Sequence, residues 1–303
     1  MKEGKPTTSN IELRCITMNE KRLDRRRKYY MVLDCETATL PCASGLDAEA
    51  KKNVAIAKPL IYDLGWQVID NKGRVYRRKK FLITEIFSVP EIFNTAYYAS
   101  KRPLYLERLQ SGEIELTTWC DAIAELEADL AECEAVGAYN SMFDFKKALP
   151  FTELYLQKLY SPDFYDWYDY QRGLCEKIAK GAKPTNERTF EPDVFRFRGK
   201  AYPLFDVWGL SCEYILNCDE YKRMCIDEGW TTASGKYFKT SAETAFRFFS
   251  EILDFEEAHM AIDDAEIESQ LFAEIHRRSK GKWEMGIIYF PFRILGKVEN
   301  FNY

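Results

Sequence analysis

The residues of this chain that could do chemistry are acids standing where apolar side chains belong. In "YYMVLDCETATLP", Tyr29 to Pro41, the run Tyr29–Leu33 has the composition of a short buried strand, and Asp34 and Glu36 follow two residues apart. Strand side chains alternate faces, so these two carboxylates point the same way. Side by side they repel, and each raises the pKa of the other unless a positive charge lies between them. Asp144 repeats the pattern, following the apolar stretch "VGAYNSMF" at the start of a predicted helix. Asp264 falls in the first turn of the last predicted helix, with His259 five residues before it. Five residues along a helix is about 500°, or about 140° around the axis, so His259 belongs to the loop that leads in. Hard oxygen donors without cysteine or several histidines suit Mg²⁺ or Mn²⁺ better than zinc. Each acid also has an ordinary explanation, since Asp144 and Asp264 could simply favour a helix dipole, and a lone histidine is commonly structural. The pair Asp34–Glu36 is harder to explain without a cation.

These acids need elements to position them. Strand one spans about 29–36. "PLIYDLGWQVID" and "RVYRRKKFLI" flank "NKG" and read as a hairpin, with Gly73 supplying positive φ. "TTWCDAIAELEADLAECEA" is an amphipathic helix with Trp119, Ile123, Leu126, Leu130 and Cys133 on one face. "AVGAYN" (135–140) is a strand leaving at Asn140, and "SMFDFKKAL" opens a helix stopped or kinked near Pro150. "YPLFDVWGL" (202–210) reads as a last strand running into a helix. The T-x-x-E of Thr240 and Glu243 predicts a cap for a helix to about Phe255, and a final helix spans about Asp263–Arg278. This pattern predicts an α/β fold, a mixed central sheet flanked by helices. Residues 1–27 read as a polar basic arm, 28–280 as one domain with a helical and loop insert at about 151–200, and 281–303 as a tail.

Composition sets the outer bounds. With 46% hydrophobic residues the chain can fill a core, which excludes global disorder. No run is long and apolar enough to span a membrane, and the N-terminus lacks a signal-peptide h-region. Nine scattered cysteines without a C-x-x-C pair fit a reducing, intracellular, cytoplasmic setting rather than a disulfide framework. Cys212, Cys218 and Cys225 have the wrong spacing for structural zinc. The net charge of −5 argues against nucleic acid at first sight, but "EKRLDRRRK" (20–28), "RVYRRKK" (74–80) and "RRSKGK" (277–282) are local basic patches.

Three motifs in order define a resemblance. "LDCETATL" matches D-x-E, "YNSMFD" matches N-x-x-F-D, and "HMAIDDA" matches H-x-A-x-x-D-A. In this the chain resembles the DEDDh (DnaQ-like) 3′→5′ exonucleases of the RNase H-like superfamily, over about 29–280. Where that family often carries glycine after the first motif, this chain has Thr39. The resemblance implies two Mg²⁺ or Mn²⁺ ions held by Asp34, Glu36, Asp144 and Asp264, and His259 as general base. It implies a nucleic acid with a free 3′ end as partner, single-stranded DNA favoured over RNA, with Thr37, Leu40 and Asn140 beside the terminal nucleotide and 5′-mononucleotides as products. A binding adaptor that keeps the fold is the competing reading; five costly groups argue against it. A metal phosphatase is a third, and the lack of further histidines argues against that.

The neighbours Asp263 and Asp264 are separated by helical phase. Steps of three, seven and eleven from Asp264 reach Ile267, Leu271 and Ile275, whereas the same steps from Asp263 reach Glu266, Gln270 and Glu274. Asp264 therefore heads the core-facing stripe, and Asp263 is expected to cap or decorate the helix on a solvated face.

Overall fold

The structure is a computed structural model that describes residues 23–24, 26–43, 46, 48–180 and 191–301. Most of the expected arm and part of the expected insert lie outside the described residues.

Among the described residues, seven strands form one mixed sheet: β1 (Tyr29–Thr39), β2 (Pro59–Asp70), β3 (Val75–Ile83), β4 (Glu115–Thr117), β5 (Ala135–Ala138), β6 (Val194–Phe197) and β7 (Lys200–Asp206). Their order is β4-β3-β2-β1-β5-β7-β6. Strand β2 is antiparallel to both β1 and β3, while β1, β5 and β7 run parallel. The expected hairpin is β2–β3, turned at Gly73 with φ 73°. Strand β1 runs three residues beyond the predicted end at Glu36. Its ladder with β2 shifts register between Glu36 and Thr37, so the strand is re-aimed just past the two acids.

Period-two alternation sends β1 side chains to two separate cores. Met31, Leu33 and Cys35 join a core under the helices Trp119–Leu130, Leu149–Leu159 and Phe164–Ala179. Tyr30 and Val32 join the opposite one, beneath the helices Asp219–Asp227, Ala242–Ser250 and Ala261–Arg278. Asp34 and Glu36 continue the Tyr30–Val32 row and so face the closing helix Ala261–Arg278. The tail covers this second core as well, through Trp283, Leu295 and Phe301.

That helix lies antiparallel to β1. Phe272 is 5.1 Å from the Tyr30 ring, centroid to centroid, and the buried stripe Ile267, Leu271, Ile275 runs back from the far end of the strand. The helix begins directly on β2, where Gly65 pairs with Asp34; a Cβ at Gly65 would stand 2.5 Å from Ile262 N. Only glycine permits so close an approach. Gly65→Ala is expected to destabilise the protein by about 1–3 kcal/mol, the usual range for overpacking, read from the denaturant midpoint. An unchanged midpoint would mean that the helix has room to retreat.

Several local expectations need correction. The helix at 242 is capped by Ser241, which accepts from Thr244 N, because the Thr240 hydroxyl is taken by Trp208 Nε1 at 2.9 Å. It ends at Ser250, not Phe255, with Glu251 left-handed. The closing helix starts two residues before the predicted Asp263. Pro150 does not stop its helix: a π turn over Asp144–Ala148 precedes Leu149–Leu159, and Pro150 sits in that helix's first turn, where its missing N–H is tolerated. The insert contributes β6 to the sheet edge, which was not foreseen.

Candidate metal centre and active site

Three separate segments deliver four acids to one end of β1. Asp34 and Glu36 come from the strand itself, half-buried. Asp144 arrives from the π turn after β5. The backbone carbonyl of Asn140 opens the helical turn Ser141–Phe143 that leads into it, accepting from Phe143 N at 2.7 Å and Asp144 N at 3.2 Å. Asp264 comes from the first turn of the closing helix and is buried, 8% exposed. The helix N-terminus is fixed from β2, where Asp63 Oδ2 accepts from Ala261 N at 3.0 Å and from the Tyr105 hydroxyl at 2.9 Å.

Glu36, His259 and Asp264 each bring a donor atom to within 4.8 Å of the others. His259 Nδ1 lies 4.0 Å from Asp264 Oδ2 and 3.7 Å from Glu257 Oε2. Asp144 is held slightly differently, accepting from Cys35 Sγ at 3.0 Å.

A fifth carboxylate stands in the cluster. Glu268, one helical turn after Asp264, is buried and accepts from Tyr139 N at 3.0 Å. Sequence reasoning passed over it, although the signal was the one that marked Asp34: an acid on an apolar stripe, here between Ile267 and Leu271. Asp63, an acid within a fully buried strand, carried the same signal.

The electrostatics follow from crowding. Burial raises Asp34 well above the carboxylate range, and repulsion from Glu268, Asp144, Asp264 and Glu36 adds to it. Burial, then Asp264 and Asp63, raise Glu36, with Lys101 opposing. Asp264 is pushed up to about 8 by burial and then by Glu257, Asp263 and Asp63. Burial pushes Asp144 up to about 7 against the hydrogen bonds it accepts, and raises Glu268 well above its ordinary value. His259 is shifted the other way, below its ordinary value, by burial and by the nearby Lys101 ammonium.

These residues fit a divalent cation. Asp264 Oδ1 is buried without a hydrogen-bond partner, and the donor set is oxygen-rich. The crowding has a thermodynamic consequence. The raised acids bind protons more tightly in the folded chain than in the unfolded one. Without metal, stability should therefore be highest at low pH and fall as pH rises through the window from about 4 to about 8. In chelator the melting temperature is expected to drop between about pH 5.5 and about pH 8, and Mn²⁺ or Mg²⁺ at 100 times its Kd should restore about 2.7 kcal/mol at the higher pH. A melting temperature indifferent to metal at that pH would count against a cation site.

The other expected site residues divide. Thr37 is half-buried at the register shift. Asn140 has an exposed side chain and acts on Asp144 through its carbonyl. Leu40 is fully buried in the core, so its expected contact with a terminal base has no open face to use. Asp263 does not cap the helix; it pairs with Arg108 at 2.7 Å and Arg78 at 3.5 Å. Glu274, expected on a solvated face, is buried and held by Arg277 and Arg278.

The basic patch at 74–80 is compensated. In 74–80, Arg74 pairs with Asp70, Arg77 with Asp129, Arg78 with Asp263 and Glu266, Lys79 with Glu125 and Lys80 with Glu113. Of the aromatics at 151–170, Tyr155 is buried and Phe151, Phe164, Trp167 and Tyr168 pack on the core, whereas Tyr160, Tyr165 and Tyr170 are exposed. Among the described residues no helix is long and apolar enough to cross a membrane.

No protein-family model matches this chain, and no curated protein matches it significantly.

Proposed function

We propose that this chain is a metal-dependent 3′→5′ exonuclease, a phosphodiester hydrolase that releases 5′-mononucleotides from nucleic-acid 3′ ends. The observation that carries the reading is the convergence of Asp34, Glu36, Asp144 and Asp264 at one strand end, with His259 4.0 Å from Asp264. The strand order β3-β2-β1-β5-β7, with only β2 antiparallel within it, supports an RNase H-like exonuclease fold.

Each residue has a part in the chemistry. Asp34, Glu36, Asp144 and Asp264 would hold two Mg²⁺ or Mn²⁺ ions, which supply an acidified water and neutralise the departing oxygen. His259, kept neutral near pH 7 by its lowered pKa, takes the proton from the attacking water. The water oxygen forms a bond to the terminal phosphorus as the bond to the preceding 3′-oxygen breaks. Glu268, when ionised, would add to the repulsion among the four acids and so to their demand for a cation. A single-stranded 3′ end is the favoured substrate, since the terminal nucleotide must be unpaired to enter the site, and DNA is proposed over RNA.

The test is digestion of a 5′-labelled single-stranded oligonucleotide with Mg²⁺, in DNA and RNA forms, beside a circular single strand. A one-nucleotide ladder from the linear strand, with the circle intact, is expected. An intact linear strand that is still bound would favour an adaptor instead, and cleavage of the circle at a comparable rate would indicate an endonuclease.

A further inference from the structure

We infer that Tyr98 is a positioning residue for His259, fixing the plane and placement of the imidazole from a segment about 160 residues earlier in the chain. The inference rests on the reading of His259 as the base.

His259 needs outside support. Residues 251–260 carry no helix or strand, and His259 itself has φ 47°, a left-handed conformation unfavourable for a side chain with a Cβ. Its ring is 34% exposed on the side-chain scale, so solvent reaches it. Its distances to Glu257 and Asp264, 3.7 and 4.0 Å, are too long for hydrogen bonds that would set the ring plane.

The Tyr98 ring does set it. The two rings stack with centroids 4.4 Å apart and planes 14° from parallel. Lys101, whose Nζ lies 4.6 Å from the Tyr98 ring centroid, donates to the carbonyl of Ala258 and so holds the residue before His259. The segment carrying Tyr98 is in turn tied to the strand that bears the acids. The Thr95 hydroxyl accepts from Thr39 N at 2.8 Å and lies 2.9 Å from Thr39 O. The backbone of Thr39, rather than its side chain, thus anchors the support. The chain of contacts runs from the end of β1, through Thr95, to Tyr98 and Lys101, and onto His259.

Two readouts test this. The chain has two histidines, so ring-labelled histidine gives two sets of resonances, assigned with His259→Ala. Tyr98→Leu should move the His259 set, through loss of the ring current and of the fixed plane, and leave His276 in place; Tyr98→Phe should leave both near their wild-type positions. In nucleotide release, Tyr98→Leu should lower kcat by about 10–100-fold with KM within about threefold, and Tyr98→Phe should restore kcat. Unmoved His259 resonances in Tyr98→Leu, or an unchanged kcat in an active chain, would overturn the inference. A wild-type chain inactive on every oligonucleotide would instead sink the exonuclease reading, and the spectrum would still decide whether Tyr98 holds the imidazole.

Discussion

Asp264→Asn is expected to abolish nucleotide release and, at the same time, to make the metal-free protein more stable above neutral pH. The two halves follow from one geometry. Asp264 is buried, with an unpartnered Oδ1, and is pushed up to about 8 by burial and by the acids around it. Several kcal/mol of charge stabilisation in the reaction depends on such a ligand, so its loss should cost about 10³-fold or more at 1.4 kcal/mol per decade. The same substitution removes one member of a repelling cluster, so in chelator near pH 8 the melting temperature should rise. Asp263→Ala is the control. It breaks pairs with Arg108 and Arg78, and Arg108 keeps Glu113 at 3.3 Å. The cost should be about 1 kcal/mol of stability, with catalysis near normal. A dead Asp263→Ala beside an active Asp264→Ala would place the third motif one residue out of register.

His259→Ala should lower kcat by ~10²–10⁴-fold and leave KM and metal binding nearly unchanged. The pH profile gives the sharper check. Burial and Lys101 lower the imidazole pKa below its ordinary value of 6.5, so the base is free to accept a proton at neutral pH and is lost only in acid. The wild-type rate should therefore fall on the acid side, with its midpoint below about 6.5, and that limb should vanish in the variant. A change in KM alone would make His259 a binding residue and send the search for the base elsewhere.

Much of this arrangement was legible because a few residues break a period. Asp34 and Glu36 interrupt an apolar strand, and the Ile267–Leu271–Ile275 stripe picks Asp264 over Asp263 by phase alone. The strands β1, β2 and β3 were readable from alternation and from the Gly73 turn. Glu268 was missed because a carboxylate within a charged helix passes for surface until its neighbours on the stripe are weighed. Asp63 was missed because β2 was read for its apolar content. Other misses have tertiary causes that no local pattern encodes. Trp208 occupies the hydroxyl of Thr240 and shifts the cap to Ser241. Strand β6 exists because β7 offers it an edge, antiparallel from Val194–Pro203 onward. Leu40 was assigned to a substrate contact by motif position, while its apolar side chain was claimed by the core.

The seating of the closing helix on Gly65 also bears on when the protein becomes competent. Asp34 and Asp264 are roughly 230 residues apart in the chain, a separation that places their meeting among the late, non-local events of folding. During synthesis Asp34, Glu36 and Asp144 emerge before His259, Asp264 and the helix that carries Asp264. A chain halted before residue 259 would hold Asp34, Glu36 and Asp144 but have neither His259 nor Asp264. Nuclease chemistry of the proposed kind would thereby require a chain made at least through Asp264.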